Sequence, residues 1–251
     1  SSGNFGQAMA YACRKRAIPL TVLVPRGASP LKIARMRALG ADVVQAGDDL
    51  AAAKAAARVW SAEHAARLVE DGREAQVSEG AGSIAVELLA RGDAFDQVIV
   101  PLGDGALLNG MARWIKAASP ATRVIGVSSR GAPALHDSWR RGPGAPVVVT
   151  DRVNTIADGI AVSAPIDASV ADLHGLVDDV LLVDDEALIL AMRLVHDHAG
   201  LVTEPSGVAG LAAILGNPRA FEGATIATVL TGSNVTYEQL QAWRVFDAAP
   251  A

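Results

Sequence analysis

Three stretches of this sequence carry residue types that could do chemistry, and they lie at its beginning, middle and end. The first is Ser1-Ser2-Gly3-Asn4-Phe5-Gly6-Gln7. Small polar residues and two glycines stand directly before apolar residues at Phe5, Ala8, Met9, Ala12 and Cys13, the spacing of one helix face. The stretch therefore reads as a tight loop entering a helix, whose first N–H groups and hydroxyls suit a carboxylate or a phosphate. Capping by Ser2 or Asn4 is the plain alternative.

The second stretch is Pro101-Leu102-Gly103-Asp104-Gly105-Ala106-Leu107-Leu108-Asn109-Gly110, a Gly-rich turn between a predicted strand and a predicted helix. A dinucleotide fingerprint requires glycine where Leu108 stands and an acid after the next strand, where Ser128 and Ser129 stand. A P-loop requires Lys and then Ser or Thr after Gly110, and the chain has Met111 and Ala112. Both readings fail at a diagnostic position. A phosphate held by backbone amides alone, or a plain tight turn, is still compatible.

The third stretch, Thr231-Gly232-Ser233-Asn234, follows an apolar strand, and Glu204-Pro205-Ser206-Gly207-Val208 precedes it. Taken alone these are turn residues and a helix-start acid. His196 and His198 flank Asp197, but positions two apart do not share a helix face, so no metal site is expected there.

The chain has 251 residues, 51% hydrophobic and 20% charged, with a net charge of -5. This composition suits one large or two small globular domains and carries no disordered signature. The acidic balance argues against nucleic acid or an anionic membrane surface as partner. No apolar run reaches a membrane-spanning length, and a soluble, cytoplasmic protein is expected. The single cysteine, Cys13, excludes an internal disulfide and is expected in the core.

The elements that must position these stretches alternate. Strands are predicted at Leu20–Val24, Asp42–Val44, Gln97–Val100, Arg123–Val127, Val180–Val183 and Thr225–Leu230. Helices are predicted after the first loop, from Pro30 to a left-handed cap at Gly40, and from a cap at Asp48 to about Leu68. Further helices are predicted at Gly82–Leu89, Leu107–Ala118 and Ala132–Arg140, from Asp184 to Gly200, after Pro205, and from near Thr236. This alternation specifies an α/β fold of two open parallel-sheet domains with helices on both faces. The polar segment Glu70–Glu74 sets the expected domains at residues 1–74 and 75–251.

In combination these residues resemble the fold type II pyridoxal phosphate enzymes, the group containing threonine and serine dehydratases, threonine synthase and cysteine synthase. The opening stretch resembles that family's asparagine loop. The resemblance implies that Asn4 meets the phenolic oxygen of pyridoxal 5'-phosphate and that Ser1, Ser2 and Gly3 hold the substrate carboxylate. Ser2 matches a proton-transferring serine of serine racemase and its dehydratase relatives. Dehydratases often carry His where this chain has Phe5, which loses one polar contact.

Residues Gly103, Asp104, Gly105, Ala106 and Leu107 resemble the family's tetraglycine phosphate loop, with Asp104 and Ala106 in place of glycines. A carboxylate facing a phosphate would repel it, so the Asp104 side chain is expected to turn outward. Thr155–Val162 resembles a segment that is mainly structural in the dehydratases, and Glu204 matches a glutamate near the cofactor ring. Thr231 matches the hydroxyl residue facing the pyridine nitrogen. A hydroxyl stabilises a protonated ring less than an aspartate would, which suits β-elimination or β-replacement. Some relatives hold a divalent metal on acids after the strand matching Arg123–Val127; residues 128–134 here contain no carboxylate, and no metal is expected.

The resemblance implies elimination from a small hydroxy amino acid, giving a 2-keto acid and ammonia, in a homo-oligomer (dimer or tetramer). Threonine synthase or a cysteine-synthase-like replacement enzyme, and a non-catalytic binding module, are the alternatives. The family's Schiff-base lysine lies upstream of the asparagine loop. Lys15, Lys32, Lys54 and Lys116 do not match it; Lys32 is expected at the surface. The chain alone is therefore expected to be inactive, as the larger C-terminal part of an enzyme without its N-terminal segment.

Overall fold

The computed structural model describes residues 1 and 3–247; Ser2 lies outside the described residues. The chain divides into two compact units, residues 1–71 with 234–236, and residues 72–233 with 237–251.

The first unit contains α1 (Asn4–Lys15), β1 (Thr21–Val24), α2 (Pro30–Ala38), β2 (Asp42–Gln45) and α3 (Leu50–Glu63). β1 and β2 pair in parallel, Thr21 opposite Asp42 and Val24 opposite Gln45. Ala10, Val22, Val24, Ile33, Met36, Ala41 and Val43 form the buried cluster. Pro30 at the first turn of α2 and the positive φ of Gly40 bound that helix, as the sequence predicts.

Four local expectations need correction. The buried stripe of α1 is Gly6 and Ala10, whereas Phe5, Met9, Ala12 and Cys13 are half-buried and Ala8 is exposed. The reason is close approach: a Cβ on Gly6 would lie 2.6 Å from Met36 Sδ and 3.2 Å from Val22 Cγ1. The cap of α3 is Asp49, whose carboxylate accepts from Ala52 N at 2.7 Å, while Asp48 pairs with Arg26. That helix ends at Glu63, because Ala65 takes positive φ and Ala66 N returns to Ser61 O. Lys32 is 2% exposed rather than a surface residue. It stands one helical repeat before Met36, on the buried side of α2.

The second unit contains α4 (Ala75–Ala90), β3 (Gln97–Pro101), α5 (Ala106–Ala118), β4 (Arg123–Ser129), α6 (Ala134–Arg140) and α7 (Asp167–Leu176). It continues with β5 (Asp179–Val183), α8 (Asp185–Ala199), α9 (Ala209–Gly216), β6 (Ile226–Thr228) and α10 (Tyr237–Ala242). Its four strands are all parallel in the order β5-β4-β3-β6. Every residue of β3 and all but the first of β4 are buried, the pattern of strands covered on both faces. α4 packs on α5 backbone to backbone: a Cβ on Gly110 would lie 1.9 Å from Ser78 O. The α/β class with parallel sheets is thus the observed one.

α7 is absent from the predicted elements, although Ile166, Val170, Leu173 and Val177 are all buried and recur at helical spacing. Among the described residues no helix is long and apolar enough to cross a membrane.

Candidate functional site

In a parallel sheet the ligand side is the carboxyl end of the strands, at a point where the strand order changes direction. In the second unit the chain runs β3, β4, β5 outward and then places β6 on the other flank of β3. The loops leaving β3 and β6 are therefore the first place to look.

The loop after β3 carries the Gly-rich turn. Leu102 N donates to Val127 O at 2.8 Å and Leu102 O accepts from Ser128 Oγ at 3.2 Å, which ties the strand exit to β4. Gly105 is the N-cap of α5 with φ +100, a left-handed conformation that side chains resist. A Cβ there would lie 2.0 Å from Ser169 Oγ, and one on Gly103 would lie 2.6 Å from Gly159 O. Asn109 N donates to Gly105 O, so the amides of Ala106, Leu107 and Leu108 begin the helix without intrahelical acceptors. Thirteen residues of α5 place the positive end of the helix dipole at this turn.

Asp104 is turned by its neighbours. Its carbonyl accepts from Ser169 Oγ at 2.7 Å, and its Cβ lies 3.2 Å from where a Cβ on Gly72 would stand. Ser169 also accepts from Asn109 Nδ2 at 3.3 Å. This serine escaped sequence reasoning because α7 did. Its signal is the helical spacing around it; nothing local marks the hydroxyl.

Three further segments close on the turn. Asp185, the first residue of α8, accepts from Thr155 Oγ1 at 2.6 Å and Ile156 N at 3.1 Å, holding the Thr155–Val162 segment. Gly159, whose carbonyl abuts Gly103, donates its N–H to Ser206 Oγ at 2.9 Å. Glu204 N donates to Gly232 O at 3.0 Å and Thr231 N to Gly207 O at 3.3 Å. Thus Gly103, Gly159, Ser206, Glu204, Gly207, Thr231 and Gly232 form one contiguous cluster. Glu204 is 1% exposed within it.

In the first unit the opening loop is arranged by side chains. Ser1 Oγ accepts from Gly6 N at 3.0 Å and Gly3 N at 3.3 Å, and the Ser1 amino group donates to Leu23 O at 2.9 Å. Ser1 Oγ thus ties down the first turn of α1, whose N-cap position is Gly3, and the Gly3 amide is already committed; the capping reading of Ser2 lies outside the described residues. Lys32 Nζ lies 3.2 Å from where a Cβ on Gly3 would stand. Asn4 accepts at Oδ1 from Asn234, which itself accepts from Arg35.

Other candidates resolve into structure. His196 Nδ1 meets Asp197 Oδ1 at 3.0 Å, and its ring meets Phe246 edge-on. Among the described residues no three His, Cys, Asp or Glu side chains group as metal ligands.

Residues 1–232 match the family described as pyridoxal-phosphate dependent enzymes. An L-threonine ammonia-lyase of Geobacter sulfurreducens is 35% identical over 237 residues, 94% of this chain and 58% of that protein. A serine racemase of Oryza sativa subsp. indica is 30% identical over 240 residues, 94% of this chain and 70% of that protein. The processed form of threonine deaminase isoform 2 from Solanum lycopersicum superposes with a TM-score of 0.90 at 26% identity, covering 99% of this chain and 72% of that one. The chain thus spans about three fifths of the first relative and seven tenths of the second. With its turn, its parallel sheets and this match in hand, the chain belongs to the pyridoxal-phosphate dependent enzymes of fold type II.

Proposed function

We propose that the protein of which this chain is a part is an ammonia-lyase acting on a hydroxy amino acid, threonine or serine, and releasing a 2-keto acid and ammonia. The observation that carries this reading is the cluster at the carboxyl ends of β3 and β6, where an αL glycine opens a helix against three separately tethered segments. A phosphate fits it, since the amides of Ala106, Leu107 and Leu108 supply donors and the Cβ of Asp104 lies on the Gly72 side.

Pyridoxal phosphate, when bound, supplies an electron-withdrawing ring that acidifies the α-hydrogen of an amino acid and permits loss of a β-hydroxyl. The chain's residues have the remaining tasks. Gly103, Asp104, Gly105, Ala106 and Leu107 hold the phosphate through backbone amides. The Thr231 hydroxyl takes the ring nitrogen as a neutral partner, and buried Glu204 lies beside it on the segment tied to Gly232. Asn4 takes the phenolic oxygen. Ser1 and the amides at the start of α1 orient the substrate carboxylate, and Ser2 moves the proton. Phe5 replaces a polar side chain with an apolar one beside that carboxylate.

The relatives' own names, threonine ammonia-lyase and serine racemase, support the amino-acid class. A β-hydroxyaspartate dehydratase of Paracoccus denitrificans, 30% identical, adds a dicarboxylic candidate. The lysine that captures the cofactor is proposed to lie outside the 251 residues, so the chain alone binds without turning over.

The test is direct. The chain is titrated with pyridoxal phosphate by absorbance, reduced with borohydride and mapped by mass spectrometry, then assayed with threonine, serine, 3-hydroxyaspartate, O-acetylserine and O-phosphohomoserine. Binding without a reduced lysine adduct and without keto acid is expected. Turnover at an ordinary enzymatic rate, or an adduct on Lys32, overturns the assignment of the lysine to another segment. Absence of binding overturns the site.

A further inference from the structure

In the first unit Arg35 Nη1 donates to Asn234 Oδ1, and Asn234 Nδ2 donates in turn to Asn4 Oδ1. Arg35 lies on the exposed side of α2, and Asn234 and Asn4 are both half-buried. A guanidinium has donors and no acceptor, so Asn234 must meet it with oxygen. An amide carries oxygen and nitrogen on opposite branches, so Asn234 then turns nitrogen toward Asn4. Asn4 must answer with oxygen. The amide nitrogen is consequently the end of Asn4 that is not bonded to Asn234, and one cation fixes the polarity of two side chains that could each have turned either way.

We propose that Arg35 and Asn234 are positioning residues that set the Asn4 amide to recognise a hydrogen-bond acceptor. Resting on the pyridoxal phosphate reading, the acceptor is the cofactor's phenolic oxygen in its deprotonated form. The relay favours that form, because a phenolate oxygen accepts more strongly than the oxygen of a protonated phenol. Asn234 sits three residues after Thr231 along the chain, so the segment proposed to face the ring nitrogen also carries the residue that orients Asn4.

Asn234→Asp separates this role from a structural one. It keeps the shape of the side chain and gives Arg35 a charge-assisted partner. It also replaces the donor facing Asn4 with an acceptor, which forces the Asn4 amide to turn its nitrogen inward. The expected result is pyridoxal phosphate binding weaker on the order of tenfold, bound-cofactor absorbance moved toward the protonated phenol, and a thermal midpoint unchanged or raised. A merely structural role predicts that affinity follows stability. Asn234→Ala lowers both, and Arg35→Met weakens binding a few-fold with the same direction of spectral shift.

A readout independent of the cofactor is the side-chain amide resonances of Asn4 in ligand-free protein, assigned by their loss in Asn4→Asp. They shift in Asn234→Asp and in Arg35→Met if the relay operates. Unchanged affinity, spectrum and Asn4 resonances in Asn234→Asp overturn the proposal. If the parent binds no pyridoxal phosphate, the functional reading fails, and the Asn4 resonances alone then decide the relay.

Discussion

The Gly-rich turn of the second unit and the opening loop of the first are both starts of a helix, yet they are built from different materials. The turn is held mainly by main chain: the Gly159 carbonyl meets Gly103, Gly105 takes a left-handed conformation against the Ser169 hydroxyl, and the turn leaves a strand buried along its whole length. The opening loop is held by side chains: Ser1 Oγ, the Lys32 stem and the amide of Asn234. A backbone-built site resists the addition of a single carbon. A side-chain-built site tolerates the carbon and fails when a polar atom is removed. The cores behind them differ in the same direction, a four-stranded sheet in one unit and a two-stranded sheet in the other.

The sharpest way to break this comparison is to add the same methyl group to both. Gly105→Ala must adopt a left-handed conformation and places its methyl 2.0 Å from Ser169 Oγ, a hydroxyl held by its bond to Asp104 O. It should cost about 2–4 kcal/mol in denaturant unfolding and abolish pyridoxal phosphate binding. Gly6→Ala meets the end of Met36, a flexible side chain, 2.6 Å away. The clash is offset by gained helix propensity, and the net loss should be about 1 kcal/mol. Equal losses would show that the two loops are not built differently.

Removing a polar atom tests the converse. Ser169→Ala leaves Asp104 O and Asn109 Nδ2 each without one hydrogen-bond partner and should cost about 1–2 kcal/mol, with weaker phosphate binding. Ser1→Ala removes the acceptor for Gly3 N and Gly6 N and should cost about 1 kcal/mol. The loss should fall on substrate affinity rather than on cofactor affinity, as measured by separate titrations.

The smallest effect is a pH dependence confined to the second unit. Burial pushes the Asp178 carboxyl up, but Lys116 Nζ, the Val124 N–H and the charges of Lys116 and Arg123 outweigh it and hold the group below its ordinary 3.8. A group whose folded value is depressed stabilises the fold above its unfolded value. That stabilisation is lost as pH falls through the folded value. Asp178→Asn should therefore flatten the decline of stability below about pH 4 and cost roughly 1 kcal/mol at neutral pH. Unfolding titrations at several pH values check both parts.

Much of the fold was legible because it rests on local rules. Gly40 and Gly200 end helices in the left-handed region, and Asp184 accepts from Ala187 N where a cap was predicted. The Gly-rich turn was also legible, since a strand, two glycines and a helix in sequence restrict the possible ligands. The missed elements share a different cause. α7 follows a long irregular stretch, so its helical spacing carried no start signal, and Ser169 went unnoticed with it. The burial of Lys32 was hidden because a lysine reads as surface until a helix face and a neighbouring glycine absorb its stem. The buried face of α1 was misjudged because hydrophobicity suggested Phe5 and Met9, whereas the closest contact needed the smallest residue, Gly6.

By itself the sequence determined the alternation of strands and helices, the three loops that carry polar chemistry, and the resemblance that the family match bears out. Those depend on neighbours a few residues apart, where periodicity and turn chemistry act. Only the tertiary structure decided which serine buttresses Asp104 and which way the Asn4 amide turns. Those choices rest on hydrogen bonds between residues 65 and 230 positions apart. An amide or hydroxyl has no preferred partner until folding brings one within reach.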